Sequence, residues 1–207
     1  MTGGEALAYP VRFAGDTLTL NEAAPGFSDE QLGKARAGEA AALASLIQAH
    51  QRSVYSLALR MLGTRDLAED LTQDVFMQLS SNLKSIESNT HLKFWLRKVT
   101  SHRAIDQLRR RARIETMPLD EEITPSSTVD HGDPLLQRHL RLLLLNLSPP
   151  ARAVLLLRYQ EDLDPIDIAK TLDMPINTVK SHLKRSLEIL RQETPNPAPV
   201  RCEGKST

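Results

Sequence analysis

Residues 94–113 read FWLRKVTSHRAIDQLRRRAR, a stretch with no Gly or Pro and with seven Arg or Lys against one Asp. The absence of helix breakers and the spacing of the side chains predict one continuous helix with two faces. The mostly apolar face suits packing on a core and contains Phe94, Ser101, Ile105, Leu108 and Ala112. The other face combines an aromatic ring, hydrogen-bonding groups and cations, and contains Trp95, Val99, His102, Asp106, Arg109 and Arg113. Such groups suit stacking on bases and neutralising phosphates, so we predict a nucleic-acid surface. The alternative is a core helix whose charged side is solvated.

Charge is unevenly distributed along the chain, although 26 Lys and Arg residues balance 26 Asp and Glu residues overall. Residues 84–113 contain nine basic and two acidic residues, whereas residues 114–134 contain six acidic residues and no Lys or Arg. The zero net charge therefore hides a basic segment followed by an acidic one. Aromatic residues make up 4% of the chain and charged residues 25%, which fits an all-helical soluble protein.

Several function classes are disfavoured by the composition. The single Cys202 excludes an intramolecular disulfide and fits a reducing compartment. No apolar run reaches transmembrane length, and the N-terminus lacks the parts of a signal peptide, so we expect a cytoplasmic protein without membrane insertion. The six His residues are scattered, and neither a metal-ligand spacing nor a Gly-rich phosphate loop is present. We therefore expect no cofactor, no metal and no enzymatic activity.

The first half of the chain predicts a flexible extension, residues 1–27, followed by a helical domain, residues 28–113. Ser28 and Gln31 form a capping-box pattern that begins the first helix. Gly63 ends the second helix, and Thr64 caps the third. The predicted helices span residues 28–37, 39–62, 65–83 and 94–113, and residues 84–91 form a polar loop.

The helix predicted at residues 65–83 has an acidic side and an apolar side. The acidic side contains Asp66, Glu69, Asp70 and Asp74, and the apolar side contains Leu67, Leu71, Val75 and Leu79. The acidic side is interpreted either as an ordinary solvated face or as a docking surface for a basic or helical partner.

The second half begins with a flexible acidic linker, residues 114–134, which divides the chain into two small helical domains. The second domain spans residues 135–193, and residues 194–207 form a disordered tail. Its first helix, residues 135–147, is strongly apolar and is expected to be mostly buried. Ser148-Pro149 and Asp164-Pro165 begin the next two helices.

A helix-turn-helix is predicted from helices at residues 165–172 and 176–191, joined by a turn at residues 173–175. Asp173 takes the turn position that often holds Gly, and it tolerates left-handed backbone better than most residues. The shared core is predicted from Ile168, Leu172, Val179 and Leu183, and Ala169 is small where the two helices must approach closely. The outward side carries Asn177, Thr178, Lys180, Ser181, Lys184 and Arg185, as a helix that reads the major groove requires. A plain helical hairpin is the alternative.

Four motifs give residues 28–192 a resemblance to bacterial RNA polymerase sigma factors of the extracytoplasmic-function (ECF) group, two-domain members of the sigma-70 class. The family's polymerase-binding segment is matched in this chain by RSVYSLALRMLGTRDLAEDLTQDVFMQL. Its promoter-melting helix is matched by FWLRKVTSHRAIDQLRRRAR. The first part of the family's C-terminal domain is matched by LSPPARAVLLLRYQEDLDPIDIAKTL. Its −35 recognition helix is matched by PINTVKSHLKRSLEIL. The order and combination of the motifs make the resemblance specific, because a helix-turn-helix alone occurs in many regulators.

The resemblance implies residue roles where this sequence matches the family. Binding of core polymerase falls on Asp70, Gln73, Asp74 and Phe76. Contacts to the −10 element and strand opening fall on Lys84, Ser88, Asn89, Trp95, Lys98, His102, Arg103, Asp106, Arg109 and Arg110. Contacts to the −35 element fall on Arg158, Thr178, Lys180, Ser181, Lys184 and Arg185. The chain departs from the family at His102, usually Asn, at Pro175, usually Ser, and at Asp173, usually Gly.

The implied function is promoter-specific initiation, with core RNA polymerase, duplex −35 DNA and single-stranded −10 DNA as partners. An anti-sigma factor is a further partner implied by the family. The main alternative is a helix-turn-helix regulator that binds duplex DNA alone and needs no polymerase. A helical adaptor that sequesters another protein is a third possibility.

Overall fold

The computed structural model describes residues 28–114 and 134–193, in which all regular secondary structure is helical. The extension at residues 1–27, most of the acidic linker, residues 115–133, and the tail at residues 194–207 lie outside the described residues. The helices are α1 Asp29–Arg36, α2 Ala40–Leu62, α3 Arg65–Asn82, α4 Asn89–Ile114, α5 Pro134–Asn146, α6 Pro149–Tyr159, α7 Pro165–Thr171 and α8 Ile176–Glu193. No helix in these two ranges is both long enough and apolar enough to span a bilayer.

The helix ends in the first domain follow the local signals of the sequence. Ser28 accepts a hydrogen bond from the Gln31 N–H, and the Gln31 side chain accepts one from the Ser28 N–H, so the capping box is confirmed. Gly63 ends α2 in the left-handed region, with φ of 82°. Thr64 lies at the N-cap position of α3, but its hydroxyl makes no capping hydrogen bond.

The predicted loop at residues 84–91 is confirmed only at residues 86–88. Residues Leu83–Ser85 form a 3₁₀ turn, and α4 begins at Asn89, five residues before the predicted start. Ser88 explains the earlier start, because its hydroxyl accepts a hydrogen bond from the His91 N–H (3.2 Å) and its carbonyl accepts one from the Leu92 N–H (2.9 Å).

Helix α4 is buried on more of its surface than the two-face pattern predicted. Leu92, Leu96, Thr100 and Ala104, absent from the predicted apolar face, are fully or almost fully buried. Trp95 and Val99, which belong to the predicted outer face, are half-buried and pack against the core. Helices α6 and α7 contact α4 in addition to α2 and α3, so more of its surface is covered than the first domain alone would cover.

The prediction that α5 is mostly buried is wrong for part of the helix. Leu143 and Leu147 are buried, but Leu140 and Leu142 remain 48% and 51% exposed. Among residues 139–146 of α5, apolar side chains therefore lie on the solvent side as well as on the packed side.

The two helical domains share one hydrophobic core in this structure. Leu57 and Met61 of α2 belong to the same buried cluster as Val154 and Leu157 of α6 and Ile168 of α7. Helices α5 and α6 pack on α2, and α6 and α7 pack on α4. The second domain therefore lies directly on the basic helix of the first.

Candidate polymerase and nucleic-acid interfaces

The acidic face of α3, defined here by Asp70, Gln73 and Asp74, is exposed as predicted. Phe76 is not on that face: its side chain is buried, with 7% exposed, and supports the helix from inside the core. Met77, one turn beyond Gln73 and Asp74, is 58% exposed. An exposed methionine beside carboxylates provides an adaptable apolar contact within a charged surface.

Arg103 joins the acidic face of α3 to the basic helix α4. Its Nη1 lies 3.3 Å from Oδ2 of Asp74, and its Nε donates to Oε1 of Gln78 at 2.9 Å. Both side chains of the Arg103–Asp74 pair are about half exposed, so the contact positions them without removing either from solvent. The candidate polymerase and −10 surfaces are therefore adjacent.

The residues predicted to contact the −10 element lie along one helix and the turn before it. From Asn89 to Arg110 the rise of α4 amounts to roughly 30 Å, which suits a strand laid along the helix better than a single pocket. Exposed members of the set are Lys84, Arg103, Asp106, Arg109 and Arg110, and half-buried members are Ser88, Asn89, Trp95, Lys98 and His102.

The centre of α4 is occupied by the second domain. Nε of Arg97 lies 2.8 Å from Oε2 of Glu161, and Nζ of Lys98 lies 2.8 Å from Oδ1 of Asp173. Nε2 of His102 lies 3.1 Å from the carbonyl oxygen of Thr171. We call Arg97, Lys98 and His102 the central face of α4. None of the second-domain partners of this face was predicted from the sequence.

Asp173 reaches the central face because of its backbone conformation. Its φ of 49° confirms the left-handed turn residue predicted for the helix-turn-helix. The hydrogen bond from Lys98 lowers the pKa of the Asp173 carboxyl below its ordinary value. A glycine at this turn would provide the same backbone geometry but no carboxylate.

Helix α8 presents its predicted DNA-reading side to solvent. We define the reading face of α8 by the exposed residues Asn177, Thr178, Lys180, Ser181, Lys184 and Arg185. The Ser181 hydroxyl donates to the Asn177 carbonyl at 2.8 Å, so its oxygen remains available as an acceptor. The spacing predicted for the helix-turn-helix is confirmed, with α7 and α8 packed on each other.

Part of the Arg158 guanidinium makes contacts within its own domain. Its Nη1 donates to the Leu163 carbonyl at 3.1 Å and lies 3.6 Å from Oδ1 of Asp164. These contacts fold the segment between α6 and α7 against the end of α6. Contact of Arg158 with a phosphate stays a prediction.

Arg152 is a structural cation that sequence reasoning missed. Its buried side chain is 4% exposed, and its guanidinium donates to the carbonyls of Leu144 (2.8 Å), Leu145 (2.7 Å) and Leu147 (3.3 Å) and to that of Met61 in the first domain. It thus caps the C-terminal ends of α5 and α2 together. Burial lowers the pKa of the guanidinium.

His50 is a second buried titratable group, on α2 beneath the basic helix. Burial, and then the positive charges of Lys93 and Arg97, lower the pKa of its imidazole from 6.5 to about 4. The imidazole is therefore neutral at physiological pH.

Two family models match the two domains. The Sigma-70 region 2 model matches residues 46–114, and the Sigma-70 region 4 model matches residues 137–190. The ECF RNA polymerase sigma factor SigE of Mycolicibacterium smegmatis is 33% identical over 176 residues, which cover 79% of this chain and 68% of that protein. The ECF sigma factor SigW of Bacillus subtilis is 25% identical over 177 residues, which cover 79% of this chain and 95% of that protein.

Solved structures show the same fold. The sigma factor RpoE in complex with the anti-sigma factor NepR from Bartonella quintana matches with a TM-score of 0.59 and 23% identity, over 72% of this chain and 94% of that chain. CnrH in complex with the cytosolic domain of CnrY matches with a TM-score of 0.58 and 18% identity, over 80% of this chain and 96% of that chain.

These matches define a two-domain transcription initiation factor of the sigma-70 class. The chain belongs to the ECF RNA polymerase sigma factors. It directs promoter-specific initiation by RNA polymerase, and the comparisons do not support the alternative of a regulator that acts without the polymerase.

Proposed function

We propose that this sigma factor binds core polymerase through the acidic face of α3 and holds the −10 strand along α4. The observation that carries this assignment is the adjacency of the two surfaces, which Arg103 joins through Asp74 at 3.3 Å. A strand held on α4 therefore lies beside the polymerase surface that positions it. The exposed cations at the end of α4, Arg109 and Arg110, provide charge for phosphates.

Strand opening is assigned to the N-terminal half of α4 and the turn before it. Unstacking a base costs a few kcal/mol, and stacking a base on an aromatic ring returns roughly 1–3 kcal/mol. Trp95 is the aromatic residue on this side of the helix, and the segment from Lys84 to Asn89 would receive an unstacked base. The chain thus contributes recognition, and no catalytic step of its own.

The second domain is assigned to the −35 element through the reading face of α8. Short polar residues near the start of the helix and cations further along match direct readout of base edges followed by phosphate contacts. Attachment of both domains to one polymerase and one promoter multiplies two modest affinities, provided that the linker spans the distance.

An anti-sigma factor is proposed as a further partner. Two solved structures of similar fold are complexes, one of the sigma factor RpoE with the anti-sigma factor NepR and one of CnrH with the cytosolic domain of CnrY. We further propose that the protein acts in the cytoplasm, where polymerase and promoter DNA meet.

The test is run-off transcription with bacterial core polymerase on a promoter library, with and without this protein. Transcripts that depend on the protein are expected, and their start sites will supply both promoter elements. Asp70→Asn should reduce the affinity for core polymerase, and Lys184→Gln should reduce promoter binding at unchanged polymerase affinity. The matched control is Glu30→Gln, an exposed residue of α1 that pairs only locally with Lys34 at 2.8 Å. If Asp70→Asn and Glu30→Gln bind core polymerase equally well, the assignment of α3 is wrong.

A further inference from the structure

Helix α1 precedes the Sigma-70 region 2 match, which begins at residue 46. The helix is short, and its buried residues are Leu32 and Ala35. It packs on α2 and also on the 3₁₀ turn Leu83–Ser85. This second contact places α1 beside the segment assigned above to an unstacked base, residues 84–89, which we call the receiving segment.

Two side chains of α1 form hydrogen bonds with the two ends of the receiving segment. Oδ1 of Asp29 accepts a hydrogen bond from the Asn89 N–H at 2.8 Å, and Nη2 of Arg36 donates to the Lys84 carbonyl at 3.4 Å. Asp29 and Arg36 are separated by about two helical turns, so they lie on the same side of α1 and about 10 Å apart along its axis. Helix α1 therefore spans the receiving segment from one end to the other.

The hydrogen bond at Asn89 completes the start of the basic helix. Asn89 is the first residue of α4, and the first N–H groups of a helix have no acceptor within that helix. The Ser88 hydroxyl accepts from the His91 N–H, and the Asp29 carboxylate accepts from the Asn89 N–H. A carboxylate is also favoured at this end of a helix by the helix dipole. A side chain 60 positions earlier in the chain thus contributes to the cap of α4.

The receiving segment is held in its middle as well, while part of its surface is open. Ile86 is buried in the hydrophobic core, and the Glu87 N–H donates to Nδ1 of His91 at 3.3 Å. The side chains of Lys84 and Glu87 remain exposed. A segment that is ordered before its ligand arrives loses less conformational freedom on binding. The contacts with α1 therefore favour binding of a base to this segment.

We propose that Asp29 and Arg36 are positioning residues for −10 recognition, which hold the receiving segment in the conformation that accepts an unstacked base. The proposal rests on the assignment of that segment to the base. Both residues act through the segment rather than through contact with the strand. Loosening either end spreads the segment over more conformations, and only the competent fraction binds the base. The loss falls on base preference, because phosphate contacts elsewhere on α4 carry no sequence information.

The experiment uses holoenzyme reconstituted from the full chain and bacterial core polymerase, on a promoter library randomised across both promoter elements. The readouts are the base preference at each promoter position and, in the protein alone, hydrogen exchange of the Asn89 amide by NMR. Asp29→Ala removes the acceptor, whereas Asp29→Asn keeps a carbonyl oxygen. Glu30→Ala is the matched control, because Glu30 is the other acid in the first turn of α1 and pairs within the helix with Lys34 at 2.8 Å. At the other end of α1, Arg36→Met is compared with Lys34→Met.

Asp29→Ala should speed exchange of the Asn89 amide and should reduce the preference for the favoured base roughly fivefold at the −10 position that the receiving segment reads. Preferences at the other −10 positions and at the −35 element should stay as in the wild type. Asp29→Asn should keep most of the preference. Arg36→Met should lose about twofold, because its hydrogen bond is longer, and both control variants should match the wild type.

The double variant Lys84→Ala, Glu87→Ala changes the receiving segment itself and separates the positioning role from the assignment on which it rests. If this variant alters a −10 preference and Asp29→Ala does not, the positioning role is overturned. An equal loss of transcription from all −10 sequences in Asp29→Ala would also overturn it, because that loss indicates a role in stability alone. If the double variant leaves every −10 preference unchanged, the assignment of the segment to a base is wrong, and the positioning role is overturned with it.

Discussion

The buried guanidinium of Arg152 in the second domain donates to the main-chain carbonyl of Met61 in the first. The same side chain satisfies three carbonyls at the end of α5, so one residue holds two helix ends together across the domain boundary. Arg141 of α5 adds a second contact of this kind, because its guanidinium donates to the carbonyl of Gly63 at the end of α2.

Arg152→Met should destabilise the protein by about 3 kcal/mol or more. The change leaves buried carbonyls without a donor, and each such group costs about 1–3 kcal/mol. Arg152→Lys should lose less stability, because the lysine ammonium can replace some of the hydrogen-bond donors of the guanidinium. The measurement is the free energy of unfolding in urea. Arg191→Met, at an exposed position of α8, is the control and should stay within about 0.5 kcal/mol of the wild type. Equal losses of stability in Arg152→Met and Arg191→Met would contradict the interpretation that Arg152 stabilises the protein through the buried carbonyls.

Gly63→Ala should destabilise the protein by about 1 kcal/mol or more. The residue has φ of 82°, and a Cβ built there would lie 2.7 Å from Cδ2 of Leu145 in the second domain. Gly33→Ala is the opposite case, since Gly33 lies inside α1 and a Cβ there meets nothing within 4 Å. That change should stabilise by about 0.5–1 kcal/mol. Thermal unfolding of both variants measures whether their stability changes in opposite directions. Destabilisation by both substitutions would contradict the prediction.

His50 should make stability depend on pH between about 6.5 and about 4. The folded pKa of His50 is about 4 and its ordinary value is 6.5, so the unfolded chain takes up the proton first as the pH falls. The contribution of neutral His50 is fully present above pH 6.5 and is lost progressively toward pH 4, by up to about 1.4 kcal/mol per pH unit. Unfolding in urea at several pH values, compared with His50→Gln, isolates this slope from that of the carboxylates. Parallel pH profiles for the two proteins would exclude His50 as the cause.

The exposed cations on α8 should set the salt dependence of duplex binding. Each phosphate contact contributes about 0.9 to the slope of log affinity against log salt. Lys180→Gln and Lys184→Gln should each reduce the magnitude of that slope by about this amount. Lys170→Gln on α7, which pairs with Asp167, should leave it unchanged. The measurement is fluorescence anisotropy of a duplex pool across salt concentrations, and an unchanged slope for both α8 variants would remove these residues from the interface.

Features encoded by neighbouring residues were predictable from the sequence. Ser28 and Gln31 form the expected capping box, Gly63 ends α2, and Asp173 adopts the expected left-handed turn. Each depends on a side chain and the backbone within four residues of it. The start of α4 was missed, because the polar residues after Ser88 lack the apolar spacing by which the helix was located.

Contacts between distant residues were not predictable. Arg97 and Glu161 are 64 positions apart, and neither stands out by local pattern. The predicted two faces of α4 were derived for a helix packed on the first domain alone, whereas α6 and α7 also contact it. The apolar composition of α5 likewise could not reveal that Leu140 and Leu142 face solvent. The site residues themselves followed from the family resemblance, and their roles stay predictions.

The carbonyls bound by Arg152 belong to the main chain, and every residue type supplies one. A substitution at Met61, Leu144, Leu145 or Leu147 that keeps the helix end in place leaves the acceptor intact. Selection at this contact therefore acts on one partner only, and no compensating pair of substitutions is expected across the domain boundary here. Methods that find contacts from correlated sequence changes should overlook this junction, even though replacement of Arg152 on one of its two sides is costly.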